Sequence, residues 1–178
     1  MTNPKDLLMV SLGRFYSSNN NMQQILPIIQ GTSDVSLRLL DWFVTNYSKK
    51  YSTIITRVDP ANNVIHFNVY LSYRSQLKAY SKQNFDPFRR RERIKFFYQK
   101  DKVIETTIGQ LNFFRWIIQN NILEYVKTHI KKIEDDMINT QKVATLPPTA
   151  LQKKRLELSQ SKLKNMNMFE GKRTISFS

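Results

Sequence analysis

Apolar residues recur along this chain with a period that changes twice. Over residues 4–16, Leu7, Leu8, Val10, Leu12 and Phe15 suit a short helix opened by Asn3 ahead of Pro4. A polar loop at 17–21 leads to an apolar patch at 25–29 that Pro27 is expected to break. Gly31, Thr32, Ser33 and Asp34 read as a helix entry. Behind them Val35, Leu39, Phe43 and Tyr47 recur every fourth residue, with Leu40 and Val44 widening the stripe, which predicts a helix over 34–48.

The period then falls to two. Residues 52–58 and 63–72 flank Asp59, Pro60, Ala61 and Asn62, which suit a tight turn. Ile65, Phe67, Val69 and Leu71 alternate with His66, Asn68, Tyr70 and Ser72, so this stretch predicts a β-hairpin. Residues 73–82 are short and polar, enough for one or two helical turns. Pro87 disfavours helix at Asp86 and makes 84–88 a turn. Residues 93–99 and 103–107 form a second strand pair. Helical spacing returns at Ile108, Leu111, Phe114 and Ile118, and a further helix is expected over 121–139, with Ile122, Tyr125, Val126, Ile130, Ile133 and Met137 on one side. The expected fold is α+β: a small antiparallel four-stranded sheet packed with several helices in a globular domain over 1–140. A Pro-containing linker (Pro147, Pro148) and a basic C-terminal extension then occupy 141–178, with amphipathic spacing over 151–165.

Composition narrows the chemistry. The chain has 178 residues, 40% of them hydrophobic, enough for one ordinary core. It has no cysteine, which removes disulfides, thiolate metal sites and Cys nucleophiles. Four glycines leave no Gly-rich phosphate loop. At the N-terminus Leu7 to Val10 are followed at once by Ser11, Gly13 and Arg14, unlike a signal peptide, and no apolar run approaches the ~20 residues of a membrane span. A soluble protein of a reducing compartment is expected. His66 and His129 stand apart from each other and from any His or Cys cluster, so no metal, cofactor or small-molecule substrate is expected. Glu134, Asp135 and Asp136 lie toward the end of the last predicted helix, the less favourable end for anions, and are expected to find basic partners. No Gly-x-Ser-x-Gly setting surrounds any serine, and no enzyme is expected.

Charge carries the strongest signal. The formal net charge is +14. Residues 49–102 hold thirteen Lys/Arg against four Asp/Glu, and residues 151–178 hold seven against two, while the remainder is balanced. Two surfaces are thus built to meet an anion. The densest cluster is Arg89, Arg90, Arg91 and Arg93 with Lys95, whose guanidinium groups can fork onto phosphate oxygens. Phe96, Phe97 and Tyr98 follow, either as a base-stacking platform or as the core face of a strand. Arg74, Lys78 and Lys82 recur every fourth residue and would make a stripe on one helix face. Lys153, Lys154 and Arg155 begin the basic extension.

Three stretches, FNVYLSYRSQLKAY over 67–80, FDPFRR over 85–90 and TTIGQLNFFRW over 106–116, resemble a family of uncharacterised proteins encoded by giant (nucleocytoplasmic large) DNA viruses. The resemblance covers roughly residues 50–137. It implies a setting, a virus replicating DNA in a factory in the host cytoplasm, and hence a location there or in the virion; it carries no site residues across. In that setting the expected role is non-enzymatic binding of nucleic acid, DNA above RNA, through phosphate contacts. Two other roles suit the same features: a minor capsid protein reaching across acidic surfaces of viral proteins with its basic arm, and an accessory subunit of a transcription complex using Trp42, Trp116 and a hairpin as contact surface.

Overall fold

The computed structural model describes residues 4–145. The chain divides into two compact units, Met1–Val143 and Ala144–Ser178, and the first contains nearly all the described residues. The basic segment with Lys153, Lys154 and Arg155 lies outside the described residues, as do the linker prolines and the spacing over 151–165.

Helix α1 (Pro4–Ser17) buries Leu12 and Tyr16. Asn19 and Asn20 turn the chain with left-handed backbone, a conformation Asn tolerates better than most residues. Helix α2 (Asn21–Gln30) then runs straight through Pro27. The expected break does not occur because Pro27 sits in the last turn and its neighbours are anchored: Met22, Ile25 and Ile28 are buried, and the Pro27 carbonyl accepts from Thr32 (2.8 Å) and Ser33 (3.2 Å). Gly31, at φ 73°, closes this helix instead of opening the next. The true N-cap of α3 (Leu37–Trp42) is Ser36, whose hydroxyl accepts from the Leu39 N–H at 3.1 Å.

Helix α3 passes into a π-helical turn at Phe43–Tyr47 and resumes as α4 (Ser48–Lys50). The four-residue repeat explains this turn. A spacing of four overshoots a 3.6-residue period by about 40° per repeat, so Leu39, Phe43 and Tyr47 cannot all stay inward in a regular helix for long. One wide turn resets the register, and Val35, Leu39, Phe43 and Val44 are all buried.

Strands β1 (Ile54–Val58) and β2 (Val64–Asn68) pair antiparallel, with Ile54 opposite Asn68 and Val58 opposite Val64. Asp59 holds the turn, accepting from the Asn63 N–H at 2.8 Å and its side-chain amide at 3.0 Å. The strand expected to reach 72 stops at Asn68. Its side chain accepts from the Leu71 N–H (3.0 Å) and caps α5 (Val69–Tyr80), which makes three turns where one or two were expected. Val69 and Leu71 kept the alternation going in sequence, yet the cap decides the backbone. Strands β3 (Ile94–Gln99) and β4 (Lys102–Thr106) form the second hairpin.

The α+β class and the four antiparallel strands stand as expected, but the strands make two separate two-stranded sheets in place of one four-stranded sheet. Helix α6 (Ile108–Gln119) buries Gly109, Leu111, Asn112, Phe113, Phe114, Trp116 and Ile117, and it meets the first hairpin directly and the second through Tyr16 of α1. Trp116 meets Phe67 of β2 at 6.1 Å between ring centres, while Tyr16 donates to the Leu111 carbonyl (2.6 Å) and meets Phe96 of β3 edge-on at 5.7 Å. The single helix expected over 121–139 is two, α7 (Ile122–Thr128) and α8 (Ile130–Thr145). His129 interrupts them: its Nδ1 lies 2.9 Å from the Tyr125 carbonyl and its ring stacks on Tyr125 at 4.2 Å, so a side chain competes for a helical acceptor.

Candidate nucleic-acid interface

The arginine-rich segment projects from a turn that is held tightly from behind. Phe85 is fully buried against Tyr73, Tyr80, Phe113 and Trp116. The Asn84 carbonyl accepts from the Asn112 side chain at 2.9 Å, and Asp86 accepts from the Phe88 N–H at 2.9 Å. Gly109 fills the remaining space: a Cβ built there would stand 2.7 Å from the Asp86 carbonyl oxygen. Backbone therefore lies against backbone at the start of α6, and the 84–88 turn cannot drift.

Beyond that clamp the cations divide into two groups. Arg89 lies 3.8 Å from Glu92, and Arg93 lies 3.5 Å from Glu105 across the hairpin. Glu92, at φ 56°, also meets Lys5 of α1 at 3.4 Å. These exposed pairs are worth little energetically, but they orient their side chains. Arg90, Arg91 and Lys95 are exposed and have no carboxylate within 4 Å among the described residues.

Strand alternation decides the aromatics. Phe96 is buried and Tyr98 half-buried on the core face, whereas Phe97 points outward at 67% exposure, opposite Val103. Of the two readings, Phe96 and Tyr98 take the core face, and Phe97 stays outward, sharing its face with Lys95 about 7 Å away along the strand. Arg74 and Lys78 are exposed on α5 at helical spacing. Lys82 leaves their stripe because Ser81, at φ 65°, ends the helix and turns the chain into a short 3-10 segment, Lys82–Asn84. The predicted three-residue stripe is thus two residues long.

The acidic trio finds its basic partner in part. Asp136, buried on α8, pairs with Lys50 and accepts from the Tyr51 hydroxyl (3.1 Å) and the Trp42 indole (3.2 Å). Burial alone would raise its carboxyl, but the bonds from Lys50, Trp42 and Tyr51 outweigh that and hold it below the ordinary carboxylate range. Trp42 is thereby committed inside the fold, and Trp116, 4% exposed, donates to the Ser72 hydroxyl at 3.1 Å. Neither indole is the free contact surface expected of it. A cleft of about 670 Å³ opens beside Asp136 between Tyr47, Tyr51, Lys132 and Asn139. Behind the arginine turn, burial and then the charge of Asp86 push the Asp41 carboxyl up to about 6.

Sequence reasoning missed Arg57. Its Nη1 donates to the Gln119 carbonyl (2.9 Å) and to Asn120 Oδ1 (3.0 Å), and the guanidinium lies over the Phe67 ring at 5.8 Å. Only its position on the core face of a strand, between Ile55 and the turn, signalled that this cation turns inward. Among the described residues no three His, Asp or Glu side chains are grouped to hold a metal ion, and no helix is long and apolar enough to cross a membrane.

No solved structure matches this chain. Over 147 residues it is 42% identical to "Uncharacterized protein L507" of Acanthamoeba polyphaga mimivirus, an alignment covering 78% of this chain and 56% of that protein. The chain thus spans little more than half the length of that viral relative. A model of a family of unknown function, DUF7197, matches residues 1–174, and the chain belongs to that family.

Proposed function

We propose that this chain is a non-enzymatic nucleic-acid-binding protein of a large DNA virus, acting in the host cytoplasm, in the virion or in both. The observation that carries the proposal is the set of exposed, uncompensated cations Arg90, Arg91 and Lys95 beside the exposed ring of Phe97, on a turn clamped against α6. Cations without internal partners keep their full attraction for phosphate, and a ring within one strand step offers a stacking face to an unpaired base. Base-edge readout plays little part, since the side chain of Gln110, which lines the recess beside Arg89, Arg90 and Arg93, is already engaged by the Thr106 hydroxyl at 2.6 Å.

The test is a salt titration of binding by the full chain to duplex and single-stranded DNA. With six or more phosphates neutralised, affinity falls roughly a thousandfold between ~50 and ~200 mM salt. Replacing Arg90, Arg91 and Lys95 together by serine should flatten the slope of log affinity against log salt by about 2.7 units on duplex. Phe97→Ala should weaken single-strand binding by about 1–3 kcal/mol and leave duplex binding unchanged. A flat salt dependence of the natural chain, or an unaltered slope in the triple variant, refutes the proposal.

A protein-facing role, as a minor virion component, is favoured by a different observation. The outer face of the β1–β2 hairpin exposes Ile54, Val58 and Val64, each at 55–60%, with Leu71 beside it. Stoichiometric recovery from virions stripped of genome would select that role, and loss together with the genome would reject it.

A further inference from the structure

Arg57 is a half-buried cation without an ion pair among the described residues; the Phe67 ring and, at longer range, the Asp59 carboxylate act on its charge. Among the described residues no carboxylate lies within 4 Å of it. One end of its guanidinium is spent: Nη1 donates to two neutral oxygens at the C-terminus of α6, Gln119 O and Asn120 Oδ1. The other donors are not spent. Nε is buried without any acceptor, and Nη2 makes no hydrogen bond among the described residues. With Nη1 engaged and Nε closed off from solvent, Nη2 is the charged donor that an oxyanion in the recess would meet. An orphaned, charged donor in a folded protein calls for a missing partner.

The surroundings specify what kind. Arg57 lines a recess of about 440 Å³ together with Ser72, Gln76, Trp116, Gln119 and Asn120. The Ser72 oxygen already accepts from the Trp116 indole at 3.1 Å, so its own hydrogen is left to donate. The Gln76 side-chain amide makes no hydrogen bond within the described residues. Asn120 is fixed, its Nδ2 donating to the Trp116 carbonyl at 2.8 Å, which holds its oxygen on Arg57. The recess therefore gathers a fixed cation, a hydroxyl donor and an amide donor, with no acidic side chain in its wall.

We propose that this recess binds a single phosphate group, with Arg57 as the charged anchor and Ser72 and Gln76 as neutral donors. The site is separate from the Arg89–Lys95 surface. The recess shares no lining residue with the one bordered by Arg89, Arg90 and Arg93. Arg57 also offsets the dipole at the α6 C-terminus, and a purely structural role of that kind would leave the recess indifferent to phosphate.

The experiment follows the indole N–H resonance of Trp116 and the Nε–H of Arg57 in the full chain. Four probes are titrated: inorganic phosphate, a nucleoside 5′-monophosphate, its unphosphorylated nucleoside, and acetate. Saturable movement of both resonances with inorganic phosphate supports the site and makes free phosphate a sufficient ligand. Movement with the nucleoside 5′-monophosphate alone supports it and makes a strand end the source. Gln76→Glu, which supplies an internal counter-ion without removing Arg57, should weaken the response about tenfold or more, and Arg57→Gln should abolish it. The Arg90, Arg91, Lys95 triple serine variant should keep it, so failure of the nucleic-acid proposal and failure of this one are told apart. Equal response to acetate, response to the unphosphorylated probe, an unchanged response in Gln76→Glu, or no response at all each overturns the assignment.

Discussion

Gly109→Ala tests whether the arginine turn is held by backbone contact. The added methyl would stand 2.7 Å from the Asp86 carbonyl oxygen and 3.2 Å from both the Asp86 nitrogen and the Gln83 carbonyl oxygen. All three are main-chain atoms, so no side-chain rotation relieves the clash. Overpacking of this kind costs about 1–3 kcal/mol, and the rigidity of the neighbours places Gly109 at the upper end. Alanine returns about 1 kcal/mol through its better helix propensity. The net expectation is a loss of about 2 kcal/mol, or roughly 4–8 °C in Tm for a domain of this size. Gly13→Ala is the matched control: it also lies in a helix, but a Cβ there meets nothing within 4 Å, so it should gain up to about 1 kcal/mol. Thermal unfolding followed by circular dichroism measures both. If the two substitutions shift Tm in the same direction, the clamp does not exist as described, and the fixed presentation of Arg90 and Arg91 loses its basis.

Asp41→Asn should stabilise the protein at pH 7.5 and leave it unchanged at pH 3.5. The folded carboxyl titrates near 6, above its ordinary 3.8, because burial and then Asp86 disfavour its charge. Stability is therefore lost as pH rises from about 4 through 6. The full shift corresponds to about 3 kcal/mol, which solvent screening at this part-exposed group reduces to about 1 kcal/mol. Urea melts at the two pH values check this, and an equal effect at both removes the electrostatic explanation. Asn68→Ala should cost about 1 kcal/mol through loss of the α5 cap, while Asn68→Asp, which keeps the acceptor, should cost little; equal losses from both would mean that the cap bond at Leu71 does not hold the helix start.

The core was legible where burial and period agree. Leu111, Phe114 and Ile118 announced α6, and the two hairpin turns stood out because Asp59, Pro60, Asn62 and the Lys100–Lys102 stretch punctuate alternating strands. Two of the errors lie where one local hydrogen bond outweighs a pattern. Val69 and Leu71 extended a strand-like alternation that the Asn68 side chain ends, and His129 split a continuous helical stripe by bonding back to Tyr125. The basic cluster was visible as charge, but its division into paired and unpaired members was not. That depends on Glu92 and Glu105, the second of which reaches Arg93 only across the hairpin, from the opposite strand. Arg57 was missed because the one sign of its facing inward is the strand alternation it shares with Ile55, which a charged residue at that place overrides.

The placement of α6 between two hairpins governs how this unit comes apart. An isolated two-stranded ribbon is marginal in water; here the first leans on α6 through Trp116, and the second packs on Tyr16 of α1, whose hydroxyl is tied to the Leu111 carbonyl of α6. Neither can persist once that helix melts. Loss of order should consequently be all-or-none, with amide protons of α6 exchanging only through global opening, at rates set by the total stability and not by local fraying.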